Sequence, residues 1–374
     1  MFDFISDFFG VIFNVIFNGV EILTPIGTLG FAIILFTLVS RLLMTPLQIK
    51  QQRTTRTMGK LQPELQKIQK KYAGKKDQAS QLQQSQEMQA LYKKYNINPL
   101  AGCLPLLIQL PLIYAVYAVL RQPSRHIEKL AELYAQIAIK IEAALSNSAQ
   151  VINELLIEHP FSSTAQLEID KLGDSVVLAN QLANFTTKQW EYLLEKAPEL
   201  NQILEVLMQQ KIDYEYFFFN LVDSPSQLVS GGNYFALVVP ILAGASTFIF
   251  SKLTMAQSAP PASSNSENPA ESMMKTMNII MPIMMGSISY TVSTGLALYW
   301  IAGNLIMMGQ QAWIAKVVKK QEAVIDEKLR LEREALAKTS KKKKKKKKPI
   351  DNKQADDNNK PVKERKERKQ PDKD

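Results

Sequence analysis

The chain has 374 residues, 46% of them hydrophobic, and carries a net charge of +10. Length alone allows about two or three soluble domains, but the apolar residues are clumped into runs of near bilayer-spanning length between strongly charged segments, which excludes an ordinary soluble reading. The single cysteine, Cys103, excludes an intramolecular disulfide, and the positive charge, which on a soluble protein would point to nucleic acid, sits in alternate segments as the positive-inside rule requires.

Residues 1–23 place Phe2, Ile5, Phe9, Ile12, Phe13, Ile16 and Phe17 at helical spacing, with Asp3, Asp7, Asn14 and Asn18 offset from them. That pattern predicts an amphipathic helix lying in the membrane interface. The opening MFDFISDFFG has no basic n-region and no lipobox cysteine, so it reads as mature protein. Pro25 and Gly27 break this helix, and residues 24–48 form the first predicted crossing. Residues 49–96 turn to Lys, Gln and Arg, with Met58, Leu61, Leu65, Ile68 and Tyr72 at steps of three and four, then Leu82, Met88, Leu91, Tyr92 and Tyr95 beyond Gly74. Two helices burying these stripes on each other predict a cytoplasmic helical hairpin.

The second crossing, 97–121, carries Pro105, Gln109 and Pro111. Prolines there predict local bends, tolerated where neighbours satisfy the freed carbonyls. Residues 122–232 show helical stripes such as Ile127, Leu130, Leu133, Ile137 and Ile141 without spanning length, and their acidity puts them outside. A third crossing, 233–253, leads into a Ser/Pro/Ala-rich cytoplasmic linker, 254–275. Crossings four and five occupy 276–292 and 295–317, parted by a tight turn at Ser293–Gly295.

Residues 318–374 form a basic cytoplasmic tail. It begins as a helix from Lys316 to Lys338 and then runs through Lys341, Lys342, Lys343, Lys344, Lys345, Lys346, Lys347 and Lys348 into a charged end that cannot bury enough apolar area to fold. The fold class is therefore an all-α polytopic membrane protein with five transmembrane helices. A cytoplasmic C-terminus then places the N-terminus outside.

The most informative residue is Arg41, in TLVSRLLMTPLQ. Measured from Leu47 at about 1.5 Å per residue, it lies roughly 9 Å inside the cytoplasmic end of its helix. At such a depth an arginine turns toward a partner or a wet cavity, or snorkels to the headgroups. No Asp or Glu lies within the five crossings to pair with it. Thr37, Gln109, Trp300 and Asn304 are the candidate walls of a polar pocket around it, each also readable as a helix-packing hydrogen bonder. Met273, Met274, Met277, Met281, Met284 and Met285 in crossing four suit a surface accepting varied apolar segments, or simple filler.

The hairpin and the tail share one side of the membrane and suit anionic lipid or ribosomal RNA. Only His126 and His159 are present, and no Walker loop, HExxH or GxSxG occurs, so neither an enzyme nor a cofactor is expected.

LVSRLLMTPLQIKQQRTTRTMGKLQPELQKIQKKY resembles the first core helix and following hairpin of the YidC family of membrane insertases, which includes mitochondrial and chloroplast relatives. YNINPLAGCLPLLIQLPLIYAVYAVLR resembles its second core helix, and TMNIIMPIMMGSISYTVSTGLALYWIAGNLIMMGQQAWI its last two. The resemblance implies five helices around a hydrophilic groove open to cytoplasm and lipid. It also implies that Arg41, Thr37, Gln109 and Trp300 occupy the groove, and that Pro46 and Cys103 hold structural positions beside Pro105 and Pro111. The implied activity is insertion of nascent membrane proteins, alone or with the Sec translocon, with the basic tail docking the ribosome. A large β-rich domain and a lipoprotein signal seen in parts of the family are absent, and 122–220 is longer than the family pattern suggests. The rival readings are a transporter or channel, which needs inverted repeats or several intramembrane charges, and a membrane tether with a basic lipid- or ribosome-binding tail.

Overall fold

The computed structural model describes residues 2–75, 77–95, 104–121, 123–158, 175–258 and 269–345. Cys103, His159, the linker residues 259–268 and Lys346 to Lys348 lie outside the described residues, as does the start of the second crossing. The chain divides into two compact units, Met1–Glu322 and Ala323–Asp374.

Helix α1 (Phe2–Leu23) buries Phe13, Phe17 and Val20 and leaves Phe4, Phe8, Val11 and Val15 exposed. Three of its polar residues, Asp7, Asn14 and Glu21, stand seven positions or two helical turns apart, and each of these meets the segment after the second crossing. Asp7 pairs with Arg125 at 3.1 Å, Asn14 Oδ1 accepts from the Glu128 backbone N–H at 3.0 Å, and Glu21 accepts from the Tyr214 hydroxyl. Phe9 and Phe13 pack on Phe36 of the helix that follows.

Helix α2 (Thr28–Leu43) stops short of the predicted residue 48, and α3 (Thr45–Tyr72) leaves it at 58°. Pro46 stands in the first turn of α3. A proline has no N–H to continue the helix behind it, but it fits a helix start. Helix α3 turns into α4 (Gln78–Lys94) about Gly74, whose φ of 82° suits glycine. Helix α4 buries none of its residues, however, so the two stripes do not bury each other as expected: Leu61, Leu65 and Tyr72 of α3 are buried while Leu82 is 60% exposed. Lys71 pairs with Glu87, which also accepts from the Tyr72 hydroxyl at 3.0 Å, and Asp77 caps α4 through Ser80 N–H at 2.8 Å.

Helix α5 (Leu104–Arg121) contains Pro105 in its first turn and Pro111 in its interior. A helical cap follows: α6 (Pro123–His126), α7 (Glu128–Ala144), α8 (Ser148–Glu158), α9 (Ser175–Leu182), α10 (Thr187–Lys196), α11 (Glu199–Glu215) and α12 (Pro225–Ser230). Between α11 and α12 a two-residue ladder pairs β1 (Tyr216–Phe217) with β2 (Phe219–Asn220). Tyr134, Ile137, Leu182, Leu193 and Leu204 of the cap share one continuous apolar core with Phe13, Phe36, Val116 and Tyr299.

The cap is stitched to two other helices by backbone bonds. Gly27 N–H donates to Asp213 O at 2.7 Å at the start of α2, and Thr294 and Gly295 N–H donate to Asp223 O and Leu221 O at 2.8 and 2.9 Å. Inside the cap, Lys211 and Glu215 form a fully buried ion pair at 3.0 Å, with the Tyr134 hydroxyl donating to Glu215.

A 3-10 turn (Tyr234–Leu237) opens α13 (Val238–Ser258), which packs closely on α14 (Pro269–Thr291). A Cβ on Gly244 would lie 3.1 Å from Pro282 O, and one on Gly286 3.2 Å from Pro240 O, so glycine permits this approach. Helix α15 (Thr294–Lys345) extends beyond the predicted fifth crossing and takes in Lys341 to Lys345. Its second-unit portion is rich in helix formers, with Arg330 paired to Glu327 at 2.9 Å.

By length and composition, Ser6–Leu23 and Tyr234–Met255 can each cross a membrane, as can the bent pair Thr28–Leu43 plus Thr45–Tyr72 if it is one span. The 16 residues of α2 span about 24 Å, less than the roughly 30 Å of a hydrocarbon core.

Candidate functional site

Arg41 lies in the last turn of α2, closer to a helix end than its distance from Leu47 implied, because the helix breaks at Met44. It is nevertheless buried, at 7% exposure. What covers it is α15. A Cβ on Gly303 would stand 3.0 Å from Arg41 Nη2, so glycine at that position makes room for the guanidinium.

Arg41 Nη1 donates to Gln109 Oε1 at 2.8 Å, and Gln109 Nε2 donates to the Tyr299 hydroxyl at 3.0 Å. One chain of polar contacts thus joins α2, α5 and α15. Near the helix break, Gln310 Nε2 donates to Arg41 O at 3.1 Å and to Thr45 Oγ1 at 2.6 Å, tying α15 to carbonyl and hydroxyl groups where α2 ends and α3 begins. Among the described residues no carboxylate pairs with Arg41, and its charge is met by neutral dipoles. A cation held this way keeps its attraction for an incoming acceptor or anion.

Of the predicted walls, Gln109 meets Arg41 directly. Thr37 is buried and returns its hydroxyl to Ile33 O at 2.6 Å, the self-satisfying bond of a packed helix threonine. Trp300 and Asn304 sit on an adjacent face of α15 and form a second polar cluster with α13. Trp300 Nε1 donates to Thr247 Oγ1 at 2.9 Å. The Asn304 amide lies 3.0 Å from the hydroxyls of Ser246 and Thr247, and with its oxygen on that side it also accepts from Trp300 Nε1 at 3.3 Å. Residues 299 and 303 therefore serve Arg41, while 300 and 304, one position on, serve α13.

Tyr299, Gly303, Gln310, Ser246 and Thr247 escaped the sequence reading. The Gln310–Gln311 pair at the end of an apolar run was the available signal. Serine and threonine in α13 carry none, because they bond to their own backbone as readily as across helices.

In α14, Met284 is exposed and Met281 and Met285 are half-buried. The cap holds a cavity of about 740 Å³ walled by Trp190, Met208, Lys211, Phe219 and Asp223, none of them among the predicted site residues. Burial pushes the Asp223 carboxyl up, opposed by its bonds from Thr187 at the start of α10. No cluster of three or more metal-ligating side chains occurs among the described residues.

The family described as 60Kd inner membrane protein matches residues 22–322. MisCA of Bacillus subtilis, a membrane protein insertase, is 30% identical over 282 residues, covering 75% of this chain and 68% of that one. The insertase YidC 1 of Halalkalibacterium halodurans is 28% identical over 288 residues, 77% and 70% of the two chains. YidC of Clostridium perfringens is 29% identical over 327 residues, 85% and 93% of the two. With a family match across most of its length and relatives aligned over two thirds or more of theirs, this chain belongs to the YidC family, that of the 60Kd inner membrane protein.

Proposed function

We propose that this protein is a membrane protein insertase that passes nascent membrane proteins into the lipid past a polar groove containing Arg41. The observation that carries the reading is a buried guanidinium with only neutral partners, set where α2, α5 and α15 meet. A fixed, partly compensated cation attracts the polar or acidic flank of a client chain. Holding that flank part-way into the bilayer shortens the low-dielectric path it must cross while the client's apolar stretch moves into lipid. Arg41 and Gln109 are the groove's polar contacts. Trp300 and Asn304 hold α13 against its edge, and Thr37 packs beneath. Pro46 sets the bend that leads into the hairpin.

Five crossings, an outside N-terminus and a cytoplasmic hairpin and tail complete this reading. In it the cap lies outside, and α1 lies in the outer interface with Phe4, Phe8, Val11 and Val15 toward lipid. The lysines from Lys341 onward contact the ribosome or anionic lipid through salt-sensitive attraction. The Sec translocon is a partner for larger clients. No chemical step, metal or cofactor enters the mechanism.

In reconstituted vesicles, Arg41→Glu is expected to lower insertion of a small client with an acidic flank roughly tenfold, about 1.4 kcal/mol in the limiting step. A basic-flanked client should be less affected. Equal insertion of both clients by the variant and the parent would refute the groove.

A further inference from the structure

Phe218 is the one non-glycine residue with a positive φ among the described residues, at 62°. It forms the tip of the two-residue ladder, and the residue is 76% exposed. The residues on either side explain the geometry. Phe217 packs against α2, where a Cβ on Gly30 would lie 2.3 Å from its Cγ, and its ring meets Phe31 edge-on at 5.0 Å. Phe219 turns to the start of α13, with its ring centroid 5.5 Å from that of Phe235. Two anchored phenylalanines thus hold the residue between them in a backbone conformation that a bulky side chain disfavours, and its ring, edge-on to that of Phe217 at 5.0 Å, is otherwise left exposed.

The surroundings are apolar as well. Tyr216, Tyr234, Phe235 and Ile26 are all more than half exposed, and no charged residue interrupts Tyr216–Leu221. An uncharged aromatic patch of this kind, standing in water, would be an exposed hydrophobic liability. The patch is continuous with Tyr234–Met255, a segment long and apolar enough to cross a membrane, and lies at that segment's first turn. Tyrosines at such a level are the usual residents of the membrane–water boundary.

We propose that the Tyr216–Asn220 hairpin is a lipid wedge. Phe218 buries its ring among the acyl chains of the leaflet on the cap's side, while Tyr216 and Tyr234 stand at headgroup level. Because the same stretch leads into Leu221 and Asp223, which accept from Gly295 and Thr294, the wedge pins the base of the cap to the bilayer at the starts of α2 and α15. The proposal rests on the membrane setting of the function above, but not on Arg41.

The test uses the full chain with Cys103→Ser, reconstituted in phospholipid vesicles, with a nitroxide label placed at Phe218→Cys, at Ile249→Cys on exposed α13, or at Glu195→Cys on the cap surface. Collision with oxygen and with an aqueous nickel chelate is measured at each. Oxygen-dominated relaxation at 218 and 249, with nickel dominating at 195, is the expected result. Nickel dominance at 218 with oxygen dominance at 249 overturns the wedge and leaves the membrane reading intact, whereas nickel dominance at both sinks the two together. Shielding of 218 from both probes would mean a protein occupant, a second copy or a client, and also overturns the wedge. With an intact aromatic ring, Phe218→Trp should add emission over Trp190, Trp300 and Trp313 that brominated acyl chains quench and aqueous iodide does not. The opposite pattern refutes the proposal.

Discussion

Gly303 controls how Arg41 is held, because a Cβ there would press on the guanidinium at 3.0 Å from Nη2, and a larger side chain more so. Gly303→Val is expected to break the bond to Gln109 and destabilise the helix contact by about 1.5–3 kcal/mol, the range for a hydrogen bond to a charged group. Denaturant unfolding in mixed micelles would read this loss, and Gly303→Ala should fall between the two. His126 offers a pH test. Burial lowers its affinity for a proton, with Arg125 adding to the effect and Asp7 opposing it. The folded state therefore binds fewer protons there than the unfolded state does, so this contribution to stability is present above the ordinary histidine range and is lost as pH falls through it. Melting temperature should drop over that interval, and His126→Gln should flatten the drop. An unchanged slope in the variant would assign the titration to another group.

At the level of elements, the cap depends on a buried ion pair rather than on apolar packing alone. Lys211 and Glu215 stand one turn apart on α11, with Lys211 above the Trp190 ring at 5.7 Å and Tyr134 on Glu215. Removing one partner strands the other charge. Lys211→Met should destabilise the cap by about 3–5 kcal/mol, while the double change Lys211→Met with Glu215→Leu should recover most of that loss. Proteolysis of the cap or its hydrogen exchange would measure both. The bend between α2 and α3 belongs to the same scale. Pro46 makes a helix start of what the apolar pattern read as a continuous crossing, and Gln310 of α15 covers the break.

For the whole molecule, the basic tail and the polar contact at Arg41 are separable. Truncation after Lys338 removes Lys341 to Lys348. It should abolish salt-sensitive co-sedimentation with ribosomes while leaving insertion of a client presented without ribosomes within about twofold. A tether with inert helices would lose co-sedimentation on truncation and insert no client before or after it, so the paired assay decides between the readings.

The helices, the hairpin and the prominence of Arg41 were legible in the amino-acid sequence, because apolar periodicity, charge alternation and an ionisable residue in an apolar run are local signals that no later packing erases. The family, too, could be read from LVSRLLMTPLQ and its companion motifs. The partners of Arg41 were decided by tertiary structure. Which neighbouring face of α15 meets α2, and which meets α13, turns on a rotation of about 100° per residue that periodicity cannot assign when both faces are apolar. The cap was legible only as helical stripes. Its attachment runs through backbone groups of Gly27, Asp213, Leu221 and Asp223, and through a left-handed Phe218, and backbone hydrogen bonds between distant segments leave no mark in side-chain pattern.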